Sequence, residues 1–126
     1  MKPIILCIDR YKTLLPTVVA VLSTAGYEVL TATTPADGLE LAARQHIDAL
    51  ILDYTLCAHD HHSEICVTDK IRALHQDAKI ILWCADNSVH TENPPCADVV
   101  FLKPVPAAEL VARLNTLLNP DQCSSQ

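Results

Sequence analysis

Two carboxylates sit where a sheet would present them for chemistry. Asp53 closes the uninterrupted apolar run Ala49-Leu50-Ile51-Leu52, and Asp9 closes the run Ile4 to Ile8. Runs of this length are too short for helices of their own and suit strands buried on both faces of a parallel sheet. In open α/β sheets ligands bind beyond the carboxyl ends of the strands, so acids placed there are site candidates on position alone. A third run, Val99 to Leu102, ends in a base, Lys103, followed by Pro104. The other chemical concentration is the stretch from Cys57 to Cys66, with His59, His61 and His62, which is rich in ligands that zinc accepts. It lacks a C-x₂-C or H-x₃-H pairing, and adjacent histidines on a polar loop are usually solvated, so a metal-binding Cys57–Cys66 loop stands as the lesser alternative. With only two glycines in the chain there is no glycine-rich phosphate loop or dinucleotide fingerprint, and no nucleophile stands with its base. Asp37, Glu40 and Glu64 lie on helices opposite apolar faces and read as solvated surface.

The elements that must position these groups alternate along the chain. Ile4 to Ile8 reads as the first strand. Leu14, Leu15, Val18, Val19, Leu22 and Ala25 then fall on one face at helical spacing, with Gly26 as the stop and Pro16 confined to the first turn. Glu28 to Ala32 is the second strand. Thr34 followed by Pro35 supplies an N-cap and a first-turn proline for a helix to about His46. The third strand covers 48–53, and Ile65, Ile71 and Leu74 carry the next helical face. Lys79 to Cys84 and Val99 to Leu102 are the fourth and fifth strands, with Trp83 packed inside, and 106–118 closes the chain with a helix. Between strands four and five, residues 86–96 are polar and hold Pro94-Pro95, leaving room for one or two helical turns. This order predicts an α/β doubly wound parallel sheet with right-handed crossovers.

Composition fits one domain over 1–118 with a polar, frayed tail at 119–126. Half of the residues are apolar, which disfavours disorder, and the formal charge of −6 argues against gripping nucleic acid or anionic lipid directly. No apolar stretch approaches the roughly 20 residues that span a bilayer, and the expectation is a cytoplasmic protein with no membrane partner. The six cysteines are expected as thiols, since a chain with this core needs no disulfide framework.

The order of these features resembles the receiver domain of two-component response regulators. The matches are Leu6-Cys-Ile-Asp-Arg, Gly26-Tyr-Glu-Val, Ile51-Leu-Asp and Ala97-Asp-Val-Val-Phe-Leu-Lys-Pro, and they span nearly the whole chain. The resemblance implies a flavodoxin-like five-stranded sheet in the order 2-1-3-4-5, its fourth helix shortened or irregular here. It implies a signalling module rather than an enzyme, without an attached output module in this chain, that receives a phosphoryl group from a histidine kinase or contacts another signalling protein, with homodimerisation open. Asp53 would be the phosphoacceptor, Lys103 would contact a phosphoryl oxygen, and Asp9, Asp53 and the carbonyl of Thr55 would hold Mg²⁺.

The departures from that pattern cluster in the site. Arg10 stands where a second acid is usual, Cys84 replaces the serine or threonine that bonds the phosphoryl group, and Val100 replaces the aromatic switch. Cys57 and Ala58 replace a proline and a glycine after the phosphoacceptor. Three acids and a lysine sum to −2 and are completed by a divalent ion, whereas Asp9, Asp53, Arg10 and Lys103 sum to zero without one. Mg²⁺ should therefore bind weakly or not at all if Arg10 turns inward against Asp53. If Arg10 instead extends into solvent, the two aspartates keep a weaker metal site. In the first case the domain works independently of phosphorylation; a pseudo-receiver that only docks or dimerises is the alternative function.

Overall fold

The computed structural model describes residues 2–9, 15–53, 67–84, 98–102 and 107–118. Five parallel strands, β1 (Ile4–Ile8), β2 (Glu28–Ala32), β3 (Ala49–Asp53), β4 (Lys79–Cys84) and β5 (Val99–Leu102), form one sheet in the order β2-β1-β3-β4-β5. The four described helices are α1 (Leu15–Thr24), α2 (Pro35–Arg44), α3 (Val67–Leu74) and α4 (Ala107–Leu118). The expected fold class and strand order are those observed. The expected short helical segment at 86–96 and the tail at 119–126 lie outside the described residues.

Alternation along the strands divides the core into two layers. Ile5, Cys7, Ala49, Ile51, Ile81, Trp83 and Phe101 pack with Leu15, Val18 and Leu22 of α1 and Leu110 and Leu114 of α4. Leu6, Ile8, Leu50, Leu52, Ile80 and Leu82 pack on the opposite face with Ala42 of α2 and Val67 and Ile71 of α3. Every residue of β3 is buried, as a central strand covered on both faces requires. Cys7 is one of the buried core residues, a thiol serving as a small hydrophobe.

The helix ends follow local chemistry. Pro16 occupies the first turn of α1, where its missing N–H costs nothing. Gly26 adopts φ 100°, and the Gly26 N–H donates to the Ser23 carbonyl at 3.1 Å while that of Tyr27 donates to Leu22 at 3.0 Å. These two bonds are a Schellman stop, which needs a left-handed residue at this glycine. The Thr34 hydroxyl accepts from the Asp37 N–H at 3.2 Å and caps α2, with Pro35 in its first turn.

Three expectations need correcting. Helix α2 ends at Arg44 rather than near His46, because Gln45 turns to extended backbone to enter β3. Ala25 is exposed, since it belongs to the stop and not to the helical face. Leu74, assigned to the inner face of α3, is 49% exposed at the last residue of that helix, while Ile71 and Val67 bury the face.

Candidate functional site

The two carboxylates singled out from the sequence are brought together at the carboxyl edge of the sheet. In the β1–β3 ladder Ile8 pairs with Leu52, so the next residue on each strand is an acid, Asp9 beside Asp53. Adjacent strands lie about 4.8 Å apart, which sets the scale of the separation. Asp9 is 3% exposed and Asp53 2%, in a chain whose only other buried polar residue among those described is Thr68. The Asp9 N–H donates to the Ala32 carbonyl at 3.1 Å, carrying the β1–β2 ladder one residue past its last paired strand position. Asp9 is thereby tied to the sheet by its backbone, and Asp53 by its place inside β3.

Strands β1 and β3 are also where the winding of this sheet reverses, since β2 is added on one side and β4 and β5 on the other. A crevice outside the strand ends at such a switch point is the expected ligand site of the architecture. On β4, Trp83 is the register partner of Asp53 and is almost fully buried. Its indole therefore lies next to the site acid in the ladder and is a built-in reporter of what happens there.

Two buried carboxylates at this spacing repel by about 3 kcal/mol at an effective dielectric near 20. As two hard oxygen donors the pair could hold Mg²⁺, which takes one or two carboxylates and keeps waters. Arg10, Thr55, Lys103 and the Cys57–Cys66 loop lie outside the described residues, as do the side chains of Cys84 and Val100, whose backbones belong to β4 and β5. Among the described residues no group of three or more histidine, cysteine, aspartate or glutamate side chains is arranged to hold a metal.

Two further aspartates, not singled out from the sequence, do structural work at the opposite edge. Asp48, just before β3, accepts the Ile4 N–H at 2.7 Å through one carboxylate oxygen and contacts His46 Nε2 at 2.9 Å through the other. Asp98, just before β5, accepts from the Ile80 N–H and from Arg72 Nη2, both at 2.8 Å. Each acid thus binds a backbone donor at the start of the neighbouring strand and holds a basic partner. The signal was present in the sequence as an aspartate directly before an apolar run, at 48 and again at 98. Around Asp48 lies an open cleft of about 830 Å³ that also touches Lys2, Tyr27, Glu28 and His46. It is at the amino edge, across the sheet from Asp9 and Asp53.

Among solved structures, this fold is the one found in response-regulator receiver domains. Over 120 residues it is 31% identical to the transcriptional regulatory protein PrrA of Mycobacterium tuberculosis, a match covering 93% of this chain and 50% of PrrA. The chain thus spans about half the length of the curated relatives it matches. A CheY-like receiver domain protein from Methanospirillum hungatei superposes with a TM-score of 0.78 at 21% identity, covering 98% of this chain and 99% of the other. A response regulator from Burkholderia pseudomallei, solved with a phosphorylated aspartic acid, a calcium ion and citrate, superposes with a TM-score of 0.70 at 19% identity, covering 98% of this chain and 73% of its own. No protein-family profile matches. No helix among the described residues is long and apolar enough to cross a membrane.

Proposed function

We propose that this chain is a receiver domain in two-component signalling, with Asp53 at the phosphoacceptor position and a site that its own Arg10 neutralises. The observation that carries the reading is the adjacency of two buried acids, Asp9 and Asp53, at the switch point of the sheet. Phosphoryl transfer asks little covalent work of a protein beyond positioning the groups and neutralising charge. Asp53 supplies the carboxylate that would accept the phosphoryl group, and the neighbouring response regulator from Burkholderia pseudomallei carries phosphate on an aspartic acid with a cation present. Lys103, the next residue in sequence after β5, would pair with a phosphoryl oxygen.

In this chain Arg10 follows Asp9 directly, and its guanidinium would offset the Asp9–Asp53 repulsion that a divalent ion otherwise offsets. A bound Mg²⁺, where it is held, supplies charge neutralisation to the transferring phosphoryl oxygens through Asp9, Asp53 and Thr55. With Arg10 inward, that ion is weakly held and the domain signals through protein contacts, to a histidine kinase or another signalling protein, without depending on Mg²⁺-driven phosphorylation. Cys84 and Val100 lack the hydroxyl and the ring by which the resemblance couples phosphate to a changed surface, which favours the same reading. The site lies in a chain of net charge −6, so a direct nucleic-acid role is not proposed.

The test is incubation with acetyl phosphate, with Mg²⁺ or with EDTA, followed by peptide mass spectrometry. The expectation is little phosphate on wild-type Asp53 in either condition and Mg²⁺-dependent phosphate on Asp53 in Arg10→Asp. Stoichiometric Mg²⁺-dependent labelling of the wild type would overturn the self-neutralised site. Absence of label from Arg10→Asp as well would overturn Asp53 as phosphoacceptor.

A further inference from the structure

Helix α2 reaches the sheet through its two buried residues, Gly38 and Ala42, one turn apart on one face. Gly38 lies in the first turn, where its N–H makes the first helical bond, to the Thr34 carbonyl at 3.1 Å. A Cβ on Gly38 would stand 2.2 Å from Ile8 Cδ1 and 2.7 Å from Ile8 Cγ1, both far inside contact distance. Ile8 is fully buried in the layer that includes Ala32 and Ala42, so any shift of its side chain must be taken up by that packed layer. Ile8 is also the residue before Asp9, and its β2 register partner is Ala32, whose carbonyl receives the Asp9 N–H.

From this chain of contacts we infer that Gly38 is a positioning residue for the site. Its missing side chain lets the start of α2 press on Ile8, which clamps the end of β1 against β2 and holds Asp9 beside Asp53. Ordinary helix propensity argues against glycine at this position, where it is less favourable than alanine by about 1 kcal/mol in a helix interior. Close approach to Ile8 supplies the reason that propensity does not. The inference rests on the reading of Asp9 as a site acid.

Amide hydrogen exchange by NMR on the full chain tests the clamp directly. In Gly38→Ala the Asp9 amide should exchange about tenfold faster relative to the amides of Leu50 in β3 and Ile80 in β4. Adding Ile8→Ala removes both Cδ1 and Cγ1, the two atoms the new methyl would meet, and should return the Asp9 amide to within about threefold of Ile8→Ala alone. If Gly38→Ala does not fold, the comparison of Gly38→Ala/Ile8→Ala with Ile8→Ala reads the same contact. Equal acceleration at Asp9, Leu50 and Ile80 would reduce Gly38 to general packing and overturn the inference, as would an unchanged Asp9 amide.

The link to the site is read from the Asp9 and Asp53 carboxyl carbon resonances and from acetyl phosphate labelling in the Arg10→Asp background. Gly38→Ala should move the Asp9 resonance and slow the labelling, and Ile8→Ala should restore both. Labelling at an unchanged rate with Asp9 displaced would overturn the positioning role. Failure of Arg10→Asp itself to take phosphate would overturn the reading of the site given above, and the exchange comparison would still decide the clamp.

Discussion

Replacing Arg10 with alanine turns the charge argument into a stability measurement. Asp9 and Asp53 are 3% and 2% exposed on the ends of adjacent strands, and at about 5 Å two unit charges repel by about 3 kcal/mol at an effective dielectric near 20. If the guanidinium offsets that repulsion, Arg10→Ala in EDTA should lose a comparable amount, in line with the 3–5 kcal/mol typical (~) of breaking a buried pair from one side. For a chain of this size that is a fall in Tm on the order of 10 °C. The vacated charge should then be supplied by solution cations, so Mg²⁺ should raise the Tm of Arg10→Ala, while the wild type should melt at one temperature with or without Mg²⁺. Urea and thermal unfolding followed by Trp83 fluorescence read both effects. An Arg10→Ala protein as stable as the wild type in EDTA, and equally indifferent to Mg²⁺, would refute the reasoning.

Two further outcomes follow from groups the structure places well. Tyr27 is buried beside α4 with its hydroxyl donating to the Asn115 side-chain oxygen, and burial raises its pKa above the ordinary 10.0. The folded chain then keeps this proton when the unfolded chain releases it, so stability should fall as pH rises from about 10 through the raised folded value; the decline should be smaller in Tyr27→Phe, measured by urea unfolding between pH 8 and 11, roughly the span over which tyrosine titrates. Asp98→Ala leaves the Ile80 N–H and Arg72 without the carboxylate they share, and should cost about 2 kcal/mol in urea unfolding at neutral pH, with Asp98→Asn recovering part by keeping an acceptor for Ile80.

The sheet was legible because its information is local. All the strands but β2, which holds Glu28 and Thr31, are mainly apolar runs of four to six residues, as observed for β5 and β4 at the extremes, and the ends of α1 and α2 carry their own chemistry in Gly26 and in Thr34-Pro35. The position of Asp9 and Asp53 followed from the same logic, since acids that end two central strands of a parallel sheet must share its carboxyl edge. What did not read from the sequence is tertiary. Asp48 bonds a residue 44 positions away and Asp98 one 18 away, so neither spacing carries a periodic signal. Gly38 looks like a weak point in a helix until Ile8 is seen against it. Leu74 fits the helical face by count, yet it is the last residue of α3 and the helix ends before the sheet can cover it.

The most direct test of a self-neutralised site is isothermal titration of the wild-type chain with Mg²⁺, with Trp83 emission followed in parallel. The account predicts no saturable binding and no change in emission up to concentrations of about 10 mM, and the appearance of a single site in Arg10→Asp, where three carboxylates replace two and the opposing cation is gone. A saturable wild-type site within that concentration range, lost in Asp9→Asn, would contradict it.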